Sequence, residues 1–326
     1  LAGRGDGQSW GQASNWELQS NQEPATVSPG ADDFAEFLSG LDTLTGPGFV
    51  GGLGVAFTTL LNIEGSVGTY SLEVTDGGGL ELTNGGVLSV TGTNASDVAA
   101  YTSNSGAITV NGSGSALDST QLFVADGSAG SLQVLGGGAV HISNNFGDAT
   151  ATTLGIGQSG GASATVSSAG SNLTEAGGVA IVGFDSTSSL TISSGGAATF
   201  SQADDEQVAL GDGLSEGGAT SSATITVTGD GTSLTTTQGV VQIGNGYRDT
   251  GTLKVLSGGS ANFTQTSAGS PTLVIGDDDS TGVVDVFGDG STLATTSGGV
   301  QVSNHGGTGT LDIDDGGAVT IDNTID

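Results

Sequence analysis

One phrase of the chain is written twice. Gly251 to Gln265 reads GTLKVLSGGSANFTQ, and Gly309 to Asn323 reads GTLDIDDGGAVTIDN. The charged residues differ between the two copies, while the apolar ones keep their places. Apolar positions that return at fixed spacing belong to units that stack on one another, so the repeat constrains the fold more than any other signal.

Aligned on its leucine, the phrase falls at Leu72, Leu132, Leu190, Leu253 and Leu311. A second phrase lies between: ITVNGSGSAL from Ile108, ATVSSAGSNL from Ala164, ITVTGDGTSL from Ile225 and VDVFGDGSTL from Val284. Interleaved, the two mark nine units of about 30 residues. Short apolar phrases flank each one, such as VVQI from Val240 and AVTI from Ala318. In Leu253-Lys254-Val255 and Leu311-Asp312-Ile313 apolar and polar residues alternate, which is the period of a half-buried strand. Val, Ile and Thr dominate these segments. Gly-Gly, Gly-Asp-Gly and Asn-Gly separate them, where the chain must turn with positive φ.

Three strands per unit, nine times over, predict an all-β fold, a parallel β-solenoid (β-helix) whose coils bury a continuous core only by stacking. Nine coils at ~4.8 Å make a rod about 43 Å long. The outward column of one face is expected to read Glu73, Thr109, Gln133, Thr165, Thr191, Thr226, Lys254, Asp285, Asp312, with Lys254 paired to Asp285. Residues 1–48 do not repeat and are read as an N-terminal cap or docking segment; residues 49–326 form the solenoid. Trp10, Trp16, Phe34 and Phe37 are the cap's apolar residues. At the other end AVTIDNTID stops without a closing element, so Val319 and Ile321 are expected at an edge that either continues into further chain beyond Asp326 or pairs with a partner. With the four cap residues they make up the candidate assembly interface.

The chain carries 3 Lys and Arg against 34 Asp and Glu, a net charge of −31. Phosphate recognition needs basic residues, so nucleic acid is excluded as a partner. No apolar run approaches the ~18 residues that suggest a membrane span. Without cysteine there is no disulfide framework or thiolate metal site. The chain begins at Leu1, as a processed product or a fragment would.

The recurring tLxVxxGGxv and xVxGxGSxL phrases, together with Asn15-Trp16, Pro29-Gly30-Ala31-Asp32-Asp33 and Phe37, resemble the glycine-rich repeats of bacterial type V secretion (autotransporter-like) and PEP-CTERM-associated repeat proteins. The resemblance covers nearly the whole chain. It implies secretion, a right-handed solenoid and a surface or matrix role, and it supplies no catalytic residues.

Several motifs fit patterns without their structural context. Gly155 to Gly160 spells GxGxxG, but the next segment reads as a strand, not a phosphate-binding helix. Gly157 to Gly161 and Gly213 to Gly217 spell GxSxG, yet the two histidines, His141 and His305, lie in other coils. Arg4-Gly5-Asp6 is an integrin-type tripeptide, and Asn94, Asn111, Asn172 and Asn262 open glycosylation sequons. Carboxylates cluster at Asp277-Asp278-Asp279, at Asp204-Asp205-Glu206, and at Asp312, Asp314 and Asp315; of these, Asp277, Asp278, Asp279, Asp312 and Asp314 are the candidate ligands for Ca²⁺, the sole candidate cofactor. The outward threonines invite an ice-binding reading, which Gln133, Lys254 and two aspartates interrupt.

The expected function is that of a secreted structural protein. It would be a building block of an extracellular fibre, sheath or matrix, with itself as partner through head-to-tail stacking. The alternative is a surface adhesin or autotransporter-like passenger binding glycans. Its binding loops would be the longest irregular stretches, residues 92–107 and 202–223, where Tyr101 is the sole aromatic. An enzyme is not expected: a lyase would need basic residues, and a hydrolase aromatic platforms.

Overall fold

The computed structural model describes residues 2–3, 9–12, 16–17, 25–38, 40–92, 100–144, 150–202, 207–212, 220–266 and 270–323. Its strands stack in parallel, each on its counterpart one coil away. One sheet holds eleven strands: Leu41–Leu44, Leu60–Ile63, Gly79–Leu82, Gly106–Asn111, Gly130–Leu135, Ala162–Ser167, Thr187–Ser193, Ser222–Thr228, Thr250–Leu256, Thr281–Phe287 and Thr308–Asp314. These are the second-face strands of coils 1 to 11. Each is preceded by a first-face strand, such as Val240–Asn245 in coil 9, and followed by a third-face strand, such as Ser260–Thr264. Among the described residues the strands of successive coils pair in parallel, with one isolated antiparallel bridge between Asp126 and Ser159; the antiparallel strand pair joins Ala2–Gly3 to Trp16–Glu17.

Alternation sets which side chains enter the core. On the second face Leu61, Leu80, Ile108, Leu132, Ala164, Leu190, Ile225, Leu253 and Val284 stand in register, each at most 1% exposed. No coil could bury this column alone, and stacking removes it from water at about 25 cal/mol per Å².

Two expectations need correction at the N-terminal end. Leu72 does not stand in this column. It pairs with Leu53 and Ala100 on the first face, and the residue stacked with Ile108 is Leu80. Glu81, not Glu73, therefore stands next to Thr109 in the outward column. The turns explain the confusion: Thr75-Asp76-Gly77-Gly78 and Thr83-Asn84-Gly85-Gly86 have the same wording and the same two positive φ angles, 52° and 79° against 52° and 81°. Coils 1 and 2 precede the nine units aligned by sequence, and Phe34–Phe37 already pairs in parallel with residues 52–55. Solenoid pairing thus begins inside the segment set apart as non-repeating. The strands Gly48–Val55 and Ser66–Val74 run from the third face of one coil to the first face of the next with no turn signal between.

The two interleaved phrases have a physical cause. Coils with a Gly-Gly turn alternate with coils whose turn ends in Ser or Thr. The hydroxyls of Ser115, Ser171, Thr232 and Ser291 accept from the amides of Gly85, Gly137, Gly195 and Gly258, each in the coil before, at 2.9–3.2 Å. On the third face an inward column alternates as well. Thr69, Ser119, Glu175, Thr236 and Thr295 occupy even coils; Val50, Val90, Ile142, Phe200, Phe263 and Ile321 occupy odd ones. Polar side chains alternate with apolar ones, so the structural period is two coils.

Thr236 and Thr295 flank Phe263, are at most 1% exposed, and their hydroxyls have no hydrogen-bond partner. A buried hydroxyl without a partner is unfavourable by about 1–3 kcal/mol. Thr236→Val and Thr295→Val keep the shape and remove that oxygen. Each is expected to raise stability by about 1 kcal/mol, read as a higher urea midpoint. An unchanged or lower midpoint would show that the hydroxyls are satisfied.

Candidate functional site

Two regions collect the residues singled out by sequence: the ends of the rod and the corner that carries the Asp277 cluster.

At the N-terminal end Trp10 is 3% exposed. Its ring fills the inward place left empty by Gly48, where a Cβ would lie 2.2 Å from Trp10 Cγ. Ala2 pairs with Glu36 and Ser9 with Thr45, so strand pairing partly covers the first coil's edge. Phe37 is 2% exposed and points into the core above Val55. Phe34 points outward, and its ring lies across Gly52 and Gly54. Trp16 lies in the strand Trp16–Glu17 beside Ala2–Gly3, and its side chain is outside the described residues. Asp42 takes the inward place that Leu61 and Leu80 hold in coils 2 and 3. Burial raises its pKa. A charge pointing inward at an end coil is a device that opposes edge-to-edge stacking.

The C-terminal end is different. Among the described residues six inward places of coil 11 are aliphatic, Val300, Val302, Leu311, Ile313, Val319 and Ile321, and Gly309 takes a seventh. Val302, Ile313 and Ile321 are 46%, 46% and 49% exposed, whereas their counterparts Ile275, Val286 and Thr295 in coil 10 are fully buried. Val300, Leu311 and Val319 are partly buried against the core. Val319 and Ile321 were expected at this edge; the other four extend their apolar patch.

The acidic residues divide. Asp277 and Asp278 stand in the corner between the first and second faces of coil 10, where His305 of coil 11 joins them. Asp277 Oδ1 lies 2.9 Å from His305 Nδ1 and accepts from Asn304 Nδ2 and the Asp278 amide at 3.0 Å. The Asp277 side chain is 10% exposed, against 65% for Asp278 and 69% for His305. Asp279 instead lies over Gly306, where a Cβ would be 2.4 Å from its Oδ1. Asp312 and Asp314 are on the second face, opposite Asp285 and Phe287. The two acidic clusters named from sequence stand apart, and the first gains His305, which the sequence reading did not place there. Its signal was the alignment of VIGDDDS at Val274 with QVSNHGG at Gln301, which puts Asn304 over Asp277.

Lys254 stands directly across from Asp285, yet among the described residues no ion pair joins them. An exposed pair of this kind contributes ~0–1 kcal/mol, too little to hold two long side chains in contact. Tyr101, the aromatic considered for the adhesin reading, sits on the first face opposite Glu73, and its pKa is raised by burial and by a hydrogen bond to that carboxylate. Gly155 lies under the Phe123 ring, and Gly157 turns the corner at φ 85°; the strand Ala162–Ser167 follows, so the GxGxxG string is a solenoid corner. His141 is on the third face, 2.9 Å from Asp118. Arg4-Gly5-Asp6, Asp204-Asp205-Glu206, Asn94 and the string 213–217 lie outside the described residues, as do parts of the stretches 92–107 and 202–223. No described helix is long and apolar enough to cross a membrane.

No protein-family model and no curated protein matches the chain. Among solved structures it is similar to the crystal structure of a TibC-catalyzed hyper-glycosylated TibA fragment. The identity is 19% over 88% of this chain and 94% of that one, with a TM-score of 0.25. An overlay that loose carries neither a site nor an activity across.

Proposed function

We propose that the chain is a structural rod that works outside the cell, wound right-handed as parallel crossovers prefer, and that it builds a fibre, sheath or matrix by end-to-end stacking. The observation that supports this reading is that coil 11, the last described coil, keeps aliphatic residues at its inward places, where a further parallel coil, whether of a second copy or of following chain, would fit. A further parallel coil placed there would continue the columns ending at Val302, Ile313 and Ile321 with the same hydrogen bonds used within the rod. A head-to-tail contact does not close on itself, so it generates a filament. Acidic sides would hinder lateral adhesion.

The two ends make this growth directional. A second copy approaching coil 11 must bring a first coil freed of Trp10 and of the Asp42 charge. Negative-stain images and sedimentation of residues 1–326 test the idea. Rods longer than one molecule are expected; Ile313→Lys, which places a charge on the open cross-section, should return single rods, and Asp42→Leu should increase assembly. Single rods at every concentration, or filaments indifferent to Ile313→Lys, would contradict head-to-tail stacking. The adhesin alternative has less to support it, since Tyr101 is engaged by Glu73 and Phe123 lies flat on Gly155.

A further inference from the structure

We propose that the corner of coils 8 and 9 holds a hard, oxygen-seeking cation on Asp249 and Ser221. These residues occupy equivalent places in successive coils, followed by Ser280 in coil 10; the next residue's amide bonds to the carbonyl one coil back, Thr250 to Ser221 and Thr281 to Asp249. Asp249 is 1% exposed and Ser221 is 2% exposed. The Ser221 amide donates to Asp249 Oδ1 at 2.7 Å. Asp249 Oδ2 and Ser221 Oγ are both buried and have no hydrogen-bond partner.

A buried carboxylate with a bare oxygen is strongly unfavourable unless a positive charge or a donor meets it. The neighbouring cation does not: the Arg248 guanidinium stands 4.8 Å over the Tyr247 ring, and among the described residues it makes no ion pair with Asp249. Ser280 Oγ accepts from the Asp277 amide at 3.0 Å. A carboxylate and a hydroxyl are hard oxygen donors, which suit sodium or calcium and not soft metals. The more conspicuous cluster of Asp277, Asp278 and His305 makes no such demand, because the buried Asp277 already accepts three bonds and its neighbours face water.

Thermal unfolding in calcium chloride, sodium chloride and tetramethylammonium chloride at matched ionic strength tests this, with tetramethylammonium as the baseline for screening of the acidic surface. Calcium or sodium should raise the midpoint of the unmodified chain by about 5 °C at a hundredfold excess over its dissociation constant. The effect should vanish in Asp249→Asn and shrink in Ser221→Ala, while Asp278→Asn retains it. Whichever salt acts identifies the ion. Equal responses of the unmodified chain and Asp249→Asn to all three salts would overturn the proposal. So would loss of the effect in Asp278→Asn alone. If Asp249→Asn fails to fold, the Ser221→Ala comparison decides.

Discussion

Gly244→Ala is expected to destabilise the rod by about 4 kcal/mol. Two separate penalties add. Gly244 turns the corner of coil 9 at φ 75°, a conformation that strains an L side chain by roughly 1–3 kcal/mol. The new Cβ would also lie 2.5 Å from the carbonyl oxygen of Thr281 in coil 10 and 2.9 Å from Ser280 Oγ. That oxygen is main chain in a stacked strand, so the coils must separate locally, adding about 1–3 kcal/mol. Gly85 supplies the control: its φ is 81°, but a Cβ there meets nothing within 4 Å. Gly85→Ala should lose only the conformational part, about 1–2 kcal/mol. Urea midpoints for the pair separate strain from contact. Equal losses would mean that coil 10 yields freely and that the close stacking at this corner is not a constraint.

The second large effect is a dependence on pH that arises in the core. Glu175 is 1% exposed, between Ile142 and Phe200. It accepts from Thr153 Oγ1 at 2.6 Å, Gln202 Nε2 at 2.9 Å and the Gly178 amide at 3.1 Å. Burial outweighs these bonds and pushes its pKa up to about 7. The folded value lies above the unfolded one, so the folded state holds the proton more tightly. The stabilisation is complete below about pH 4.5 and is lost as pH rises through 7, a change of about 3 kcal/mol. Gln202 Oε1, buried and without a partner, is an acceptor that a protonated carboxyl or an introduced amide could reach. Glu175→Gln should therefore match the parent near pH 4 and exceed it by about 3 kcal/mol near pH 8. Because the other carboxylates are shared, the difference between the two titration curves isolates this group. A difference independent of pH would show that Glu175 titrates normally.

Much of the solenoid could be read from the sequence because its core columns are chemically uniform. From Ile108 onward every second-face core residue was aligned correctly, and the outward residues Thr109 to Asp312 followed. The reading failed where the columns change character. In coil 1 the inward places carry Asp42 and Gly48, and the missing volume is filled by Trp10, which lies outside the repeat. A pattern search has no reason to accept a charge, an absent side chain and a borrowed indole as core. The slip at Leu72 came from two turns of equal geometry only eight residues apart. The acidic clusters were named without their neighbours: a tally of carboxylates does not show which corner each occupies, and stacking alone brings His305 to Asp277 while Asp312 stands on another face. Asp249 gave no signal at all, since an isolated aspartate beside an arginine reads as an exposed pair.

Equivalent residues climb a single axis by one strand spacing per coil. The chain has no cysteine, so pairs of introduced cysteines can be spin-labelled cleanly. One label at Thr109 would be paired in turn with Thr226, Lys254, Asp285 and Asp312, which occupy the same outward column. Measured distances should rise through about 19, 24, 29 and 34 Å, one spacing of ~4.8 Å at each step. Distances that fail to rise in that order, or that return toward Thr109 as antiparallel hairpins would require, would contradict the stacked solenoid and the end-to-end assembly built on it.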